Sequence, residues 1–421
     1  MNTQKPIKFL DLFAGAGGLS EGFIRAGFSP IAHVESDIAA SYTLKTRAAY
    51  HWLKDNNQLN LYNDYLFGKF SREKLYKNVP VELISSVINS EISEFTISDI
   101  FRRIDYILQG NKLDLIIGGP PCQAYSLVGR SRDKNGMRGD KRNNLYCFYA
   151  EFLKKFKPKY FVFENVLGLL SAKDERNNHY LDSMRKTFND CGYEIVVKVL
   201  PASEYGVLQN RKRVIIVGNN DGISDFFPLP ERWNPDVKTN EVLFDLPKIN
   251  AGEGQIKPQK LSNYNGSYLF DAGIRNGNSW VTFHQSRPHK SQDLKIYRIA
   301  VEKWDKYRER LNYTDLPIEL RTHNNLTSFL DRFKVVAGDL PVSQTIVAHI
   351  SKDGHYYIHP DIDQNRSLTP REAARLQTFP DDFFFESYSE KPGRTSAFQQ
   401  IGNAVPVLLA QKIAEKLWKI W

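Results

Sequence analysis

The stretch "IKFLDLFAGAGGLSEGFIRAGFSPIAHVE", residues Ile7–Glu35, decides the fold. Its opening "IKFLDLF" is a short apolar run that ends against alanine and glycine, the pattern of a buried strand. "AGAGGLSEGFIRAGF" then gives a tight glycine turn and a helix that stops at Gly27. "PIAHVESD" is the next strand. Strand, glycine turn, helix and strand open a Rossmann-like unit.

Working outward, the alternation continues. "KLDLIIGGPPC" predicts a strand ending at Gly118, and "LYCFYAEFLKKFKP" an amphipathic helix stopped by Pro158. "KYFVFENV" is a strand, "LDSMRKTFNDCGYEIVVKVL" a helix, turn and strand, and "RVIIVGNN" a further strand. A mostly parallel sheet covered by helices is expected. The exception is residues 40–94, which predict helices with an insertion. From Pro228 to about Leu340 the periodicity weakens, with one clear helix in "DLKIYRIAVEKWDKYRERL". In "LTPREAARLQTFP", Thr369 is the expected N-cap and Pro370 the first helical residue. "NAVPVLLAQKIAEKLWKIW" is the expected final helix. The predicted organisation is a catalytic and cofactor-binding part over 1–227, a second domain over 228–340, and a return to the first domain over 341–421.

Composition narrows the function. The 421 residues include 57 Lys+Arg against 48 Asp+Glu, a formal net charge of +9 that favours an anionic partner such as nucleic acid. Residues 228–340 hold 17 Lys/Arg and 14 Asp/Glu, so that domain is only slightly basic. Three cysteines, without a CxxC pair, exclude a disulfide scaffold and a structural zinc site; no metal is expected. The reducing cytoplasm suits a free thiol. No apolar stretch approaches the ~20 residues of a spanning helix, so no membrane partner is expected.

Chemistry-bearing residues recur at successive strand ends. Gly15, Gly17 and Gly18 permit positive φ and a close ligand approach, in neither a GxGxxG nor a phosphate-loop spacing. Glu35 ends the next strand, where a carboxylate reaches both hydroxyls of a ribose; Asp99 is placed to reach an adenine edge. An adenosine-containing cofactor fits this set, as does a tight turn without ligand or a dinucleotide site. Cys122 follows a strand end and precedes a basic loop that would lower a thiol pKa, although an isolated cysteine is more often a buried packing residue. Glu164 and Asn165 end an apolar run, a costly place for an unpaired carboxylate and an ordinary one for a salt bridge. Arg211 and Arg213 share one side of an extended stretch, or sit in a solvated basic turn. Their common rim makes a site.

With these residues in view, the chain resembles the DNA (cytosine-5)-methyltransferases, mostly bacterial modification enzymes. "DLFAGAGG", "GGPPCQAYS", "ENV", "QNRKR", "RSLTPREAARLQTFPD" and "QIGNAVP" match the family's blocks in their usual order, from Asp11 to Pro406. The resemblance implies a Rossmann-like S-adenosylmethionine-dependent methyltransferase fold with a smaller, variable target-recognition domain over 228–340. It implies S-adenosylmethionine as cofactor and a flipped cytosine in double-stranded DNA as acceptor. Carried over by position, Cys122 attacks C6, Glu164 engages N3 and the amino group, and Arg213 contacts O2, with Arg211 and Asn165 in the same site. Asp11, Phe13, Gly15, Gly17, Gly18, Glu35, Asp99, Pro120, Asn403 and Val405 line the cofactor pocket. Ser126 and Arg130 belong to a loop closing over DNA. Arg275, Arg287, Lys290 and Arg321 are the expected phosphate contacts, and Arg332, Ser343 and Thr345 match the exit from the recognition domain. A cognate restriction endonuclease acting on the same site without stable binding, a monomeric state and a bacterial cytoplasmic location complete the expectation. Two departures stand out. The 63 residues between Glu35 and Asp99 exceed the family's compact examples, and Asp99 lies in "TISDI" rather than after a glycine. A tRNA cytosine-5 methyltransferase of the same fold is the alternative, disfavoured by the large variable region.

Overall fold

The computed structural model describes residues 6–121, 144–223, 226–324 and 326–421. Seven strands form one sheet: β1 (Lys8–Leu12), β2 (Ser29–Glu35), β3 (Val87–Asn89), β4 (Leu115–Gly118), β5 (Tyr160–Asn165), β6 (Glu194–Pro201) and β7 (Lys212–Asn219). Their order is β3-β2-β1-β4-β5-β7-β6. Pairing is parallel from β3 to β5, and β7 runs antiparallel between β5 and β6. Alternation of side chains splits the sheet's apolar residues between two faces. Leu10, Ile116, Phe161, Phe163 and Ile216 pack under the helices α6 (Ile97–Leu108), α7 (Leu145–Phe156) and α8 (Tyr180–Asp190). Phe9, Ile117, Val162, Ile215 and Val217 face the other way, toward α1 (Gly18–Arg25) and the last helix, Val407–Lys419. Both faces are covered, which is why these strands read as near-continuous apolar runs. The two ends of the chain meet here. A side chain at Gly22 would overlap Ala410 Cβ at 2.5 Å.

The 40–94 stretch joins an ordinary helix to an insertion of shorter ones. α2 (Ile38–Asp55) is the ordinary crossover helix, started by Asp37, whose carboxylate accepts the Ala40 amide at 2.8 Å. Only α3 (Leu59–Leu66), α4 (Arg72–Lys77) and α5 (Val81–Ser85) are additional, and β3 follows them as the sheet edge. With α2, these helices grip a distant loop. Tyr62 Oη donates to Asp382 O at 2.8 Å, Tyr65 Oη donates to Glu386 at 2.6 Å, and Arg47 pairs with Asp382 at 2.8 Å.

Pro228 does not mark a break between cores. Val242, Tyr268, Leu269, Ile274 and Phe283 join the apolar cluster on the α1 side of the sheet, because this irregular stretch supplies the apolar cover that the sheet's helices leave open. A separate core is narrower. It holds Ile296, Tyr297, Ala300 and Val301 of the helix Ser291–Tyr307, together with Leu311, Tyr313, Leu316, Leu320, Phe333, Val335 and Ile358. The helix Pro370–Leu376 carries the expected Thr369 cap, with Glu372 answering to the Thr369 amide at 2.7 Å. No described helix is long and apolar enough to cross a membrane.

Candidate active site

The strand order reverses beside β1, between β2 and β4, and ligands of open α/β sheets bind at the carboxyl ends of strands where that happens. β1 ends in the glycine turn there. Gly15 and Gly17 take φ of +55° and +83°, conformations that L side chains rarely adopt. Gly18 lies so close to the C-terminal segment that a Cβ would stand 2.5 Å from the Val405 carbonyl oxygen. Phe13 itself has φ of 56°, and the space beside Gly15 is open.

Two carboxylates frame the turn. Glu35 accepts the Gly15 amide at 2.7 Å on one oxygen and the Asp37 amide at 2.7 Å on the other. Burial raises its pKa, and these amides pull it back. Asp11 is buried, and Ser20 Oγ donates to it at 2.6 Å. Its second oxygen has no protein partner among the described residues. Burial pushes the Asp11 carboxyl up to about 8. His33 Nε2 lies 2.9 Å from Ser20 Oγ, and burial lowers the ring to about 4.

β4 and β5 build the next part of the rim. Asn165 Nδ2 donates to Pro120 O at 3.4 Å, and Asn165 Oδ1 accepts the Val166 amide at 2.9 Å. Glu164 Oε1 pairs with Arg213 Nε at 2.6 Å, both side chains nearly buried. The other Glu164 oxygen crowds Gly119, where a Cβ would approach it to 2.7 Å. Pro121 is the last described residue before Cys122, so Cys122, Ser126 and Arg130 lie outside the described residues.

Arg211 turns from this rim toward the C-terminal segment. It is buried, and its guanidinium donates to Ile346 O at 2.6 Å, Gly402 O at 3.1 Å and Ala404 O at 2.8 Å. The backbone carries Arg211 toward the C-terminal segment, and Arg213 toward β5. Asn403 is exposed and Val405 buried at that segment. Asp99 is also displaced from its expected place. It lies exposed in the first turn of α6 and pairs with Arg102. The residues that leave β3 next to Glu35 are Ser90, Glu91 and Ile92; the Ser90 amide donates to Glu35 O at 3.0 Å. A three-residue strand gave too little pattern to find them.

Three of the four expected phosphate contacts are engaged inside the fold. Arg275 pairs with Asp245 at 3.1 Å, Arg287 donates to Lys352 O at 2.8 Å and Ser351 O at 2.9 Å, and Arg321 donates to Leu316 O at 2.7 Å and Thr314 O at 2.6 Å. Irregular backbone leaves carbonyls without ladder partners, and a guanidinium is the side chain best shaped to collect them. Lys290 is exposed at the start of its helix. Ser343 and Thr345 donate to Leu208 O and Asn210 O, and Arg332 pairs with Asp353.

Comparison with known proteins places this geometry. A solved structure described as a DNA modification methyltransferase encoded within an E. coli prophage aligns at a TM-score of 0.62 and 22% identity, covering 98% of this chain and 99% of that one. The Entamoeba histolytica methyltransferase EhMeth aligns at 0.56 and 14%, covering 99% of both. The fold is therefore the Rossmann-like α/β fold of S-adenosylmethionine-dependent methyltransferases, with an additional domain. Sequence takes the assignment further. The model of the C-5 cytosine-specific DNA methylase family matches residues 7–70 and 73–419. The Type II methyltransferase M.Bpa9945I of Bacillus paralicheniformis is 40% identical over 443 residues, covering 96% of this chain and 97% of that protein. M.DdeI of Desulfomicrobium norvegicum is 31% identical over 434 residues, covering 98% and 88%. The chain belongs to the C-5 cytosine-specific DNA methylase family and is an enzyme of DNA cytosine C5 methylation.

Proposed function

We propose that this enzyme methylates a flipped cytosine at a specific sequence in double-stranded DNA, through a transient bond to Cys122. The observation that carries this reading is the Glu164–Arg213 pair, set against Gly119 and leading by way of Pro120 and Pro121 to the cysteine. Cytosine C5 is a poor nucleophile. Addition of the Cys122 thiolate to C6 breaks the C5–C6 double bond and makes C5 enamine-like. Glu164, as the carboxylic acid, gives its proton to N3 as the ring takes up the negative charge and recovers it on elimination, while Arg213 holds O2 and fixes the Glu164 carboxyl. Once C5 carries the methyl group, its proton leaves to a base or water. Elimination then restores the double bond and frees the thiol. A target base inside a stacked duplex does not reach a rim this deep, so it must be extruded.

The turn after β1 suits S-adenosylmethionine. Space opens beside Gly15, Asp11 presents a buried acceptor oxygen, and Glu35 is fixed by two backbone amides. Phe13, Gly17, Gly18, Asn403 and Val405 would complete the walls, and Ser90–Ile92 take the place first given to Asp99. When bound, this cofactor supplies a methyl group on a sulfonium, an electrophile strong enough without a metal. Residues 228–340 would read the target, with Lys290 among the phosphate contacts. The enzyme would act as a monomer in a bacterial cytoplasm, beside a restriction endonuclease that cuts the same sequence.

The test is methyl transfer from labelled S-adenosylmethionine to unmethylated duplex DNA, with 5-methylcytosine measured after digestion. Cys122→Ser should abolish transfer and leave DNA binding in place. DNA carrying 5-fluorocytosine should trap a covalent adduct, because fluorine does not depart as the proton does. Normal turnover by Cys122→Ser, or no adduct under turnover conditions, would overturn the mechanism.

A further inference from the structure

One junction behind the site ties three distant segments together. Gln209 is fully buried. Its Oε1 accepts the Ile346 amide at 2.8 Å, and its Nε2 donates to Leu376 O at 2.9 Å and Gln377 Oε1 at 3.0 Å. Gln377, also fully buried, donates to Ile401 O at 2.8 Å and Ala404 O at 3.1 Å. Arg211 spans the same gap, from Ile346 O to Gly402 O and Ala404 O. The backbones themselves touch. A Cβ on Gly402 would stand 2.2 Å from the Ala348 amide nitrogen and 2.4 Å from the Val347 carbonyl carbon. Val347 is 43% exposed, so this segment lies at the surface where the chain returns from the second core.

We propose that Arg211, with Gln209 and Gln377, is a positioning residue that makes the seating of the Asn403–Val405 wall depend on residues 345–348. A shift of that surface segment cannot be absorbed at Gly402, because no side chain or space lies between. It cannot be absorbed at Arg211, because one planar guanidinium holds both segments. Arg213, two residues on, pairs with Glu164, so the same short loop reaches the base-binding rim. A base held at the Arg213 end of this loop therefore bears on the cofactor wall through Arg211, and the affinities for DNA and cofactor are coupled.

This rests on the cofactor reading above, and the experiment separates the two. The Kd of S-adenosylhomocysteine is measured by calorimetry on the full chain, without DNA and with saturating unmethylated duplex DNA that the enzyme methylates. DNA should tighten binding about fivefold or more. Arg211→Lys and Gly402→Ala should reduce that gain to about twofold or less, raising the cofactor KM while kcat at saturating cofactor changes little. A variant that folds and keeps the full gain, or loses kcat with KM unchanged, overturns the proposal. If neither variant folds, amide exchange on the wild type decides: DNA alone should protect residues 402–404, and unchanged exchange there sinks it. No binding of S-adenosylhomocysteine under either condition would instead overturn the functional reading.

Discussion

The central sheet and the segment from Arg366 to Ser387 are both buried, and the second carries a load of charge that the first lacks. Leu115, Ile116, Ile117 and Val214 to Val217 are fully buried, and their neighbours are other aliphatic or aromatic residues. In the return segment the largest fully buried side chains are Arg366, Arg371 and Arg375, set among Leu376, Phe379, Phe383 and Phe385. Arg366 grips Glu372 through two contacts of 2.7 and 2.8 Å. Arg375 joins Asp381 at 2.8 and 2.7 Å and also pairs with Asp245. Arg371 donates to Thr282 O at 2.9 Å and Phe383 O at 2.7 Å. A buried aliphatic accepts any partner of the right volume, whereas a buried guanidinium accepts only acceptors in its own plane. The sheet tolerates exchange, and the return segment tolerates little.

Acid should expose that difference most strongly. Burial lowers His284 to about 4 and His289 and His359 to about 3, all in or against the return segment, while only His33 of the sheet, at about 4, joins them. Unfolded histidines take protons from their ordinary 6.5 downward, and the folded ones do not until about 4 or 3. The unfolded state then binds more protons, so stability falls as pH drops below 6.5, by about 1.4 kcal/mol per histidine per pH unit. Amide protection factors, referred to the intrinsic exchange rate at each pH, should fall first in residues 284–387 as pH falls from 7 to 5, ahead of β4, β5 and β7. Simultaneous opening of both regions would break the contrast. Arg375→Met should come next, at about 3–5 kcal/mol in denaturant melts, because Asp245 and Asp381 are left buried without their cation. Ile216→Val should cost about 1 kcal/mol. If the two substitutions cost the same, the proposed distinction fails.

The same division governs what the sequence made legible. β1, β4, β5 and β7 stand out because their partners are adjacent strands and their signal is local. The Thr369 cap is equally local, closing within three residues. β3 escaped notice because three residues carry no period, and Asp99 took the place of the residues that follow it. Arg211 and Arg213 look equivalent in "QNRKR", yet one reaches Ile346 and Ala404, and the other Glu164. Nothing within several residues of either distinguishes them. The helices α3 to α5 hid their purpose for the same reason, since the acceptors of Tyr62 and Tyr65 lie beyond residue 380.

The bare face of α1 has a consequence for synthesis. Gly18 and Gly22 leave backbone open for contact with Val405 and Ala410, and those residues are made only after every strand of the sheet. A nascent chain halted before them has β1, the glycine turn and Glu35, but lacks the cover that turns them into a pocket. On the function proposed above, a premature stop ahead of Val405 should silence the enzyme although Cys122 and Glu164 have already been made.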